Sequence, residues 1–309
     1  MQRAFLGVDI GSISTKAVVI GEDDTVLFRR YIWTEGDPIK AVRTVLQGLE
    51  VLAKKLTIVS AGTTGSARKL AGALIGASVV KNEITAHAAG TLLCYPEART
   101  IFEIGGQDSK IIFVEDGVVT DYAMNTLCAA GTGAFLSSQA LRLGLDVSDF
   151  GPLALASKNP ASIAARCTVF AESDLVHKLQ TGYKKEDIVA GLCRAVASNY
   201  LNNLAKGKKL YAPIVFQGGV SLNAGVVQAF ERQTGEKMIV DKNAHLFGAL
   251  GAARLAKESK TKVTFNKDAA FEDFKTLGSE CKDCPNCCEL ISVYRSDILV
   301  DRWGARCSA

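Results

Sequence analysis

The sequence predicts an α/β fold built from two duplicated halves around a cleft, followed by a small cysteine-rich C-terminal tail. Three observations predict it. A pattern of strand, glycine turn, strand, tight turn and strand occurs twice, about 95 residues apart, with helical segments after each copy. A third glycine turn, Gly218-Gly219-Val220, follows another apolar run and opens a helix. Four of the nine cysteines crowd into residues 281–288, beyond a charged stretch with little periodicity.

The first copy begins with the apolar run Phe5 to Ile10, broken by Gly11 and Ser12 and resumed at Ala17 to Ile20; Glu22-Asp23-Asp24 then turns the chain into Val26 to Tyr31. Val42, Val45, Leu46, Leu49 and Leu52 recur at helical spacing within Ala41 to Leu56. Leu56 to Ala61 reads as a strand, and a Gly/Thr/Ser loop leads to a helix from about Ala67. The second copy comprises Thr100 to Ile104, the turn Gly105-Gly106-Gln107-Asp108, Lys110 to Val114, the hairpin turn Glu115-Asp116-Gly117, and Val118 to Ala123. Pro213 to Gln217 is a strand before the third turn, Asn223 to Arg232 the helix after it, and His245 to Lys257 an Ala-rich helix. The expected division is a first subdomain over 1–90 with a return over about 236–257, a second over 91–235, a linker over 258–280, and the tail over 281–309.

Composition excludes several classes. Hydrophobic residues make up 48% and charged residues 22%, a mixture that supports a sizeable core. A net charge of +4, from 36 basic and 32 acidic residues, is too mild for a nucleic-acid footprint. No apolar run approaches the roughly 20 residues that span a bilayer, and the start of the chain enters a strand pattern with no cleavable signal arrangement. A cytoplasmic protein is expected, and in that reducing setting clustered cysteines point to metal or redox chemistry rather than disulfides.

Phosphates need backbone N–H groups at close approach, which glycine permits. Asp9-Ile10-Gly11-Ser12-Ile13-Ser14-Thr15-Lys16 supplies a glycine turn, hydroxyls and a cation; Gly105-Gly106-Gln107-Asp108 adds a second turn with a carboxylate; Gly218, Gly219 and Val220 form the third. Neither a P-loop nor a dinucleotide fingerprint is present. The three-turn arrangement resembles the superfamily of actin, sugar kinases and the Hsp70 ATPase domain, a duplicated ribonuclease H-like fold. The resemblance implies that the first two turns hold the phosphates of ATP and the third contacts the adenosine. It implies that Asp9 and Asp108 organise Mg²⁺ through water, that Lys16 approaches the phosphates, and that Gln107 places the attacking water.

Cys128, in CAAGTGAFL, precedes an expected helix over Ala134 to Leu143, and Cys167, in CTVFAES, opens another that ends near Gly182. Helix N-termini offer free N–H groups and positive potential, which suit a thiolate or an anionic cluster. Two thiolates per chain would make four in a two-fold dimer. IGGQDSK, CAAGTGAFL, CTVFAES, QGGVSLN and NEITAHAAG, spread over residues 4–256, resemble the ATP-dependent activators of 2-hydroxyacyl-CoA dehydratases, with kin serving benzoyl-CoA reductases and double-cubane cluster proteins. That resemblance implies one [4Fe–4S] cluster held between two subunits by Cys128 and Cys167. It also implies a ferredoxin or flavodoxin donor, and a cluster-bearing acceptor that ATP gates by shifting potential or docking. Glu103 stands where Asp is usual, and Gly65-Ser66-Ala67-Arg68 replaces Gly-Tyr-Gly-Arg.

In the tail, Cys281-x-x-Cys284-x-x-x-Cys288 and Cys307 have metal-ligand spacing, for Zn²⁺ or a second [4Fe–4S] cluster, with Cys287 able to replace Cys288. Leu290 to Tyr294 and Leu299 to Trp303 could pair as a hairpin. Cys94 and Cys193 read as core, and His87, His177 and His245 as structural. Two rival readings are a small-molecule kinase of the same fold and a Zn-stapled nucleotide-sensing module.

Overall fold

The computed structural model describes residues 1–50, 55–125, 128–260 and 265–306. The chain divides into two compact units, Met1–Ala86 with Gly248–Ala309, and His87–Phe247.

The first unit opens with β1 (Gln2–Ile10), β2 (Ser14–Gly21) and β3 (Val26–Trp33) as an antiparallel meander. α1 (Pro38–Leu49) follows. It starts three residues before the expected Ala41, because Asp37 accepts a hydrogen bond from Lys40 N–H (2.9 Å) as N-cap and Pro38 suits the first turn. The rest of the expected helix, 51–54, lies outside the described residues. β4 (Leu56–Thr64), α2 (Arg68–Ile75) and β5 (Val79–Val80) complete a sheet of order β3-β2-β1-β4-β5, with β4 parallel to β1.

α3 (Glu83–Cys94) leads into the second unit, where β6 (Thr100–Ile104), β7 (Ser109–Glu115) and β8 (Val118–Asn125) form the second meander. α4 (Gly133–Leu143), α5 (Phe150–Ala156), α6 (Thr168–Gln180) and α7 (Lys185–Tyr200) precede β9 (Ile214–Gln217), α8 (Ala224–Thr234) and β10 (Met238–Ile239). The sheet order, β10-β9-β6-β7-β8, repeats that of the first unit, with β9 parallel to β6. The repeat holds to the residue: Asp9 opposes Lys16 in the first sheet, and Glu103 opposes Lys110 in the second, each 94 positions later. Phe102, Tyr200, Phe216 and Phe230 stack within this unit's core at ring separations of 4.9 to 5.2 Å.

The return to the first unit begins later than the expected residue 236, since β10 pairs with β9 in the second sheet. α9 (Phe247–Glu258) crosses the first sheet so closely that a Cβ on Gly7 or Gly62 would overlap the carbonyls of Ala249 or Ala252. The segment expected as a linker is not one. After a helical turn at Lys267–Ala270 it forms β11 (Phe274–Glu280), which joins β12 (Glu289–Arg295) and β13 (Ile298–Trp303) in a three-stranded antiparallel sheet. Ala269, Ala270, Phe274 and Val293 are buried in the same core as Val42, Val45, Leu46 and Leu74. Asn266 N–H donates to Ile75 O (2.8 Å), and an Arg43 guanidinium N–H donates to Glu272 O (2.6 Å). β11 escaped the sequence reading because only its first residue is buried, so no alternation marks it. Phe274→Ala is therefore expected to cost about 3 kcal/mol, as for a core aromatic rather than a linker residue. A denaturation midpoint equal to wild type would show that this segment is not part of the core.

Candidate functional site

The turn between β1 and β2 is closed by Gly11 N–H donating to Ser14 O (3.0 Å). Thr34 braces it, donating its hydroxyl to Gly11 O (2.8 Å) and its N–H to Ile13 O (2.9 Å). Asp9 is buried, and Lys16 Nζ donates to its Oδ2 at 3.2 Å. Ser12 is exposed at the tip. Thr15 is fully buried, its hydroxyl 2.9 Å from that of Thr34, so its side chain braces the turn. Gly65, at φ +94°, lets the loop 65–68 wrap the carbonyl of Ile10, which accepts Ala67 N–H (3.1 Å) and the Ser66 hydroxyl (3.2 Å). Of these two bonds beside Asp9, only that of the Ser66 hydroxyl comes from the departure, since the amide at 67 belongs to the backbone.

In the second unit, Gly105 N–H donates to Asp108 O (3.0 Å), closing the turn between β6 and β7. Gln107 is exposed, and the Asp108 side chain is 32% exposed. Lys110, which sequence reasoning missed, is 1% exposed; its Nζ donates to Glu103 Oε2 (3.1 Å) and to Asp108 Oδ1 (2.9 Å). A buried ammonium needs such partners. The signal was available, because Asp9 and Lys16 have the same seven-residue spacing as Glu103 and Lys110. Gly218, at φ +86°, packs against the carbonyl of Ile104 and the carboxylate of Glu103, where a Cβ could not fit, so the third turn abuts the second. Gly219 faces open space, whereas the Val220 side chain is buried.

The two isolated cysteines converge. Cys128 Sγ lies 3.8 Å from the carbonyl of Arg166, the residue before Cys167. Both are partly exposed, and no described cysteine is in a disulfide. Cys167 is the N-cap of the 13-residue α6. Cys128 differs from expectation: it caps a separate single turn, Ala129–Gly131, rather than α4, which has Thr132 as its N-cap. Neither thiol makes a capping hydrogen bond. The donor set fits half of a four-thiolate site, and among the described residues no group of three or more His, Cys, Asp or Glu is arranged to hold a metal ion.

Of the remaining cysteines, Cys193 is buried, and burial pushes its thiol up to about 12. Cys94 is exposed, against expectation, because it ends α3. His87 is buried with Nδ1 3.2 Å from Gln217 Oε1, a structural contact. In the tail, the hairpin loop between β11 and β12 carries Cys281, Cys284, Cys287 and Cys288. Cys281 N–H donates to Cys288 O (2.8 Å), and both residues are buried, whereas Cys284 is half-buried and Cys287 exposed at φ +45°. Cys307 lies outside the described residues. Among the described residues no helix is long and apolar enough to cross a membrane.

The profile of the BadF/BadG/BcrA/BcrD ATPase family matches residues 6–256. The (R)-2-hydroxyglutaryl-CoA dehydratase activating ATPase of Acidaminococcus fermentans is 34% identical over 281 residues, covering 83% of this chain and 98% of its own length. Among solved structures, the activator of the 2-hydroxyisocaproyl-CoA dehydratase from Clostridium difficile with bound ADPNP superposes with a TM-score of 0.77 at 34% identity, covering 82% of this chain and 94% of that one. A ROK family glucokinase from Streptomyces griseus, at 14% identity and TM-score 0.54 over 83% of this chain and all of its own, shares the actin-like fold alone.

Proposed function

The chain belongs to the BadF/BadG/BcrA/BcrD ATPase family, and from that premise we propose that it couples ATP hydrolysis to delivery of low-potential electrons to a partner enzyme. The acceptor class is a 2-hydroxyacyl-CoA dehydratase, a benzoyl-CoA reductase-type enzyme or a double-cubane cluster protein, and the donor is ferredoxin or flavodoxin in the cytoplasm. A [4Fe–4S] cluster, when bound, supplies one-electron chemistry. Cys128 and Cys167 of two copies hold it. The approach of the Cys128 thiol to the carbonyl of Arg166, the residue before Cys167, carries this reading, because it brings two segments distant in sequence side by side. Val169 and Phe170, two and three residues after Cys167 and each 65% exposed, support a second copy covering that surface.

The turn residues take the nucleotide. Gly11, Ser12, Ser14, Gly105, Gly106, Gly218, Gly219 and Val220 offer backbone or hydroxyl groups, and Lys16 its charge, to ATP, while the buried Thr15 contributes by bracing the first turn. Asp9 and Asp108 orient water on Mg²⁺, which is satisfied by one or two carboxylates. Gln107, exposed beside Asp108, positions the attacking water. A kinase would need a further carboxylate as base on a substrate hydroxyl and would leave Cys128 and Cys167 without a role.

The test is iron and sulfide analysis of anaerobically purified protein, with EPR of the dithionite-reduced form. A cluster bridging the dimer supplies about four irons and one reduced-cluster signal; a tail holding Zn²⁺ adds no iron, whereas a tail holding a cluster adds about eight irons per dimer and a second signal. Iron-free, colourless, monomeric protein would refute the reading. In the tail, we assign Cys281, Cys284, Cys288 and Cys307 to a second thiolate site, for Zn²⁺ or a further cluster. Metal analysis of a Cys281→Ser/Cys284→Ser chain should show loss of that equivalent alone, and an unchanged metal count would remove the assignment.

A further inference from the structure

Asn125 ends β8 and pairs directly across from Ser109, the first residue after the turn 105–108. It is buried at 9% exposure, and both ends of its carboxamide address Cys128. Oδ1 accepts Cys128 N–H at 3.1 Å, and Nδ2 donates to Cys128 O at 2.9 Å. A side chain bound to both the donor and the acceptor of one residue fixes that residue's position and its peptide orientation. Beyond Cys128 the chain is tied to the same turn again. Gly133 N–H donates to Gly105 O (2.9 Å), and Ala134 N–H to Gly106 O (2.8 Å). The stretch from Cys128 to Ala134 is therefore bonded at its far end to the turn proposed to take phosphate and at its near end, through Asn125, to the strand that leaves that turn at Ser109.

The Cys167 segment is held by different bonds. Asn199, on α7, donates from Nδ2 to Ala165 O (2.6 Å) and accepts at Oδ1 from Asn203 Nδ2 (3.0 Å). Its Oδ1 would lie 2.7 Å from a Cβ on Gly131, so Asn199 fills the space between the two segments. It makes no described hydrogen bond to the turn 105–108.

We propose that Asn125 is a positioning residue that transmits the nucleotide state of the turn 105–108 to Cys128. Asn199 holds the Cys167 segment through its bond to Ala165 O, not through a described hydrogen bond to that turn. The inference rests on the reading above, in which the turn binds phosphate and Cys128 is a cluster ligand. A merely structural Asn125 would stabilise the loop without linking the thiol to nucleotide.

The full chain in cluster-free, reduced form is alkylated anaerobically with iodoacetamide, with and without a non-hydrolysable ATP analogue. Labelling of each cysteine is followed by peptide mass spectrometry, and nucleotide affinity is measured separately. Cys193, buried, should label only on unfolding and serves as the control. In the wild type, nucleotide should change the Cys128 rate at least threefold. In Asn125→Ala, affinity should stay within about twofold while the nucleotide effect on Cys128 disappears. Asn199→Ala should raise the Cys167 rate with and without nucleotide and leave the response at Cys128 intact. An Asn125→Ala chain that keeps the wild-type response overturns the proposal, as does a wild type that binds nucleotide without any response at Cys128. Failure to bind nucleotide at all would instead sink the functional reading itself. If Asn125→Ala does not fold, Asn125→Asp, which keeps the acceptor and loses the donor, decides: a response less than half of wild type supports the role, and an undiminished one overturns it.

Discussion

Cys128→Ser and Cys167→Ser, each introduced into the Cys281→Ser/Cys284→Ser chain and purified without oxygen, are expected to be colourless, essentially free of iron, and still able to bind nucleotide. Each chain contributes two thiols, so a single substitution removes half of a four-thiolate set from a symmetric dimer. A serine hydroxyl is a poor substitute, because soft iron–sulfur chemistry selects thiolate. Folding should survive: both cysteines are partly exposed, neither side chain caps its helix, and neither is bonded into a disulfide. Electron delivery to any acceptor is lost in both variants, whereas ATP binding at the turns, built from other residues, persists. Cys94→Ser is the control. It lies at the exposed end of α3 and should retain iron and colour. The decisive measurements are iron content, visible spectrum and oligomeric state. If either serine chain kept a full iron complement, its cysteine would not be a ligand, and the convergence of the two segments would need another cause.

How much of this was legible beforehand depends on the range of the interactions. The two meanders were visible because their strands are short apolar runs punctuated by glycine, and each strand pairs with its neighbour in sequence. The paired carboxylate and lysine in each copy were equally local, yet Lys110 was passed over because an isolated lysine reads as a solvated surface residue. Only the register shows that it is enclosed with Glu103 and Asp108. The Asn125 clamp was not legible at all. Its effect comes from a β8 end that lies opposite Ser109, a non-local fact. Cys128 reads as preceding the helix at Ala134 to Leu143, and the separate turn at Ala129–Gly131 between them is not foreseen from sequence; it ends where the Gly105 and Gly106 carbonyls capture the amides of Gly133 and Ala134. β11 was hidden for the opposite reason. Six of its seven residues face solvent, so the segment looks like a polar connection although Phe274 anchors it in the core.

Lys110→Met should be the most destabilising single change in the second unit, lowering stability by about 3–5 kcal/mol. The magnitude follows from an asymmetry. Lys110 and Glu103 have side chains 1% and 4% exposed, 3.1 Å apart, and removing the ammonium leaves the Glu103 carboxylate desolvated without its counter-charge. The second partner, Asp108, is 32% exposed and can recover water. Replacing both members of the buried pair costs much less than removing one, so Glu103→Gln/Lys110→Met should regain most of the lost stability. The equivalent pair in the first unit behaves differently. Lys16 is 17% exposed against 1% for Lys110, so water can enter the space that Lys16→Met opens, although Asp9 itself is only 7% exposed. That variant should lose less stability than Lys110→Met and lose ATPase activity as well. The duplication thus places one lysine where it structures the turn and the other where it can reach a phosphate. Denaturant midpoints and ATPase rates on the four chains separate the roles, and a Lys110→Met protein as stable as wild type would show that Glu103 tolerates burial without its ammonium partner.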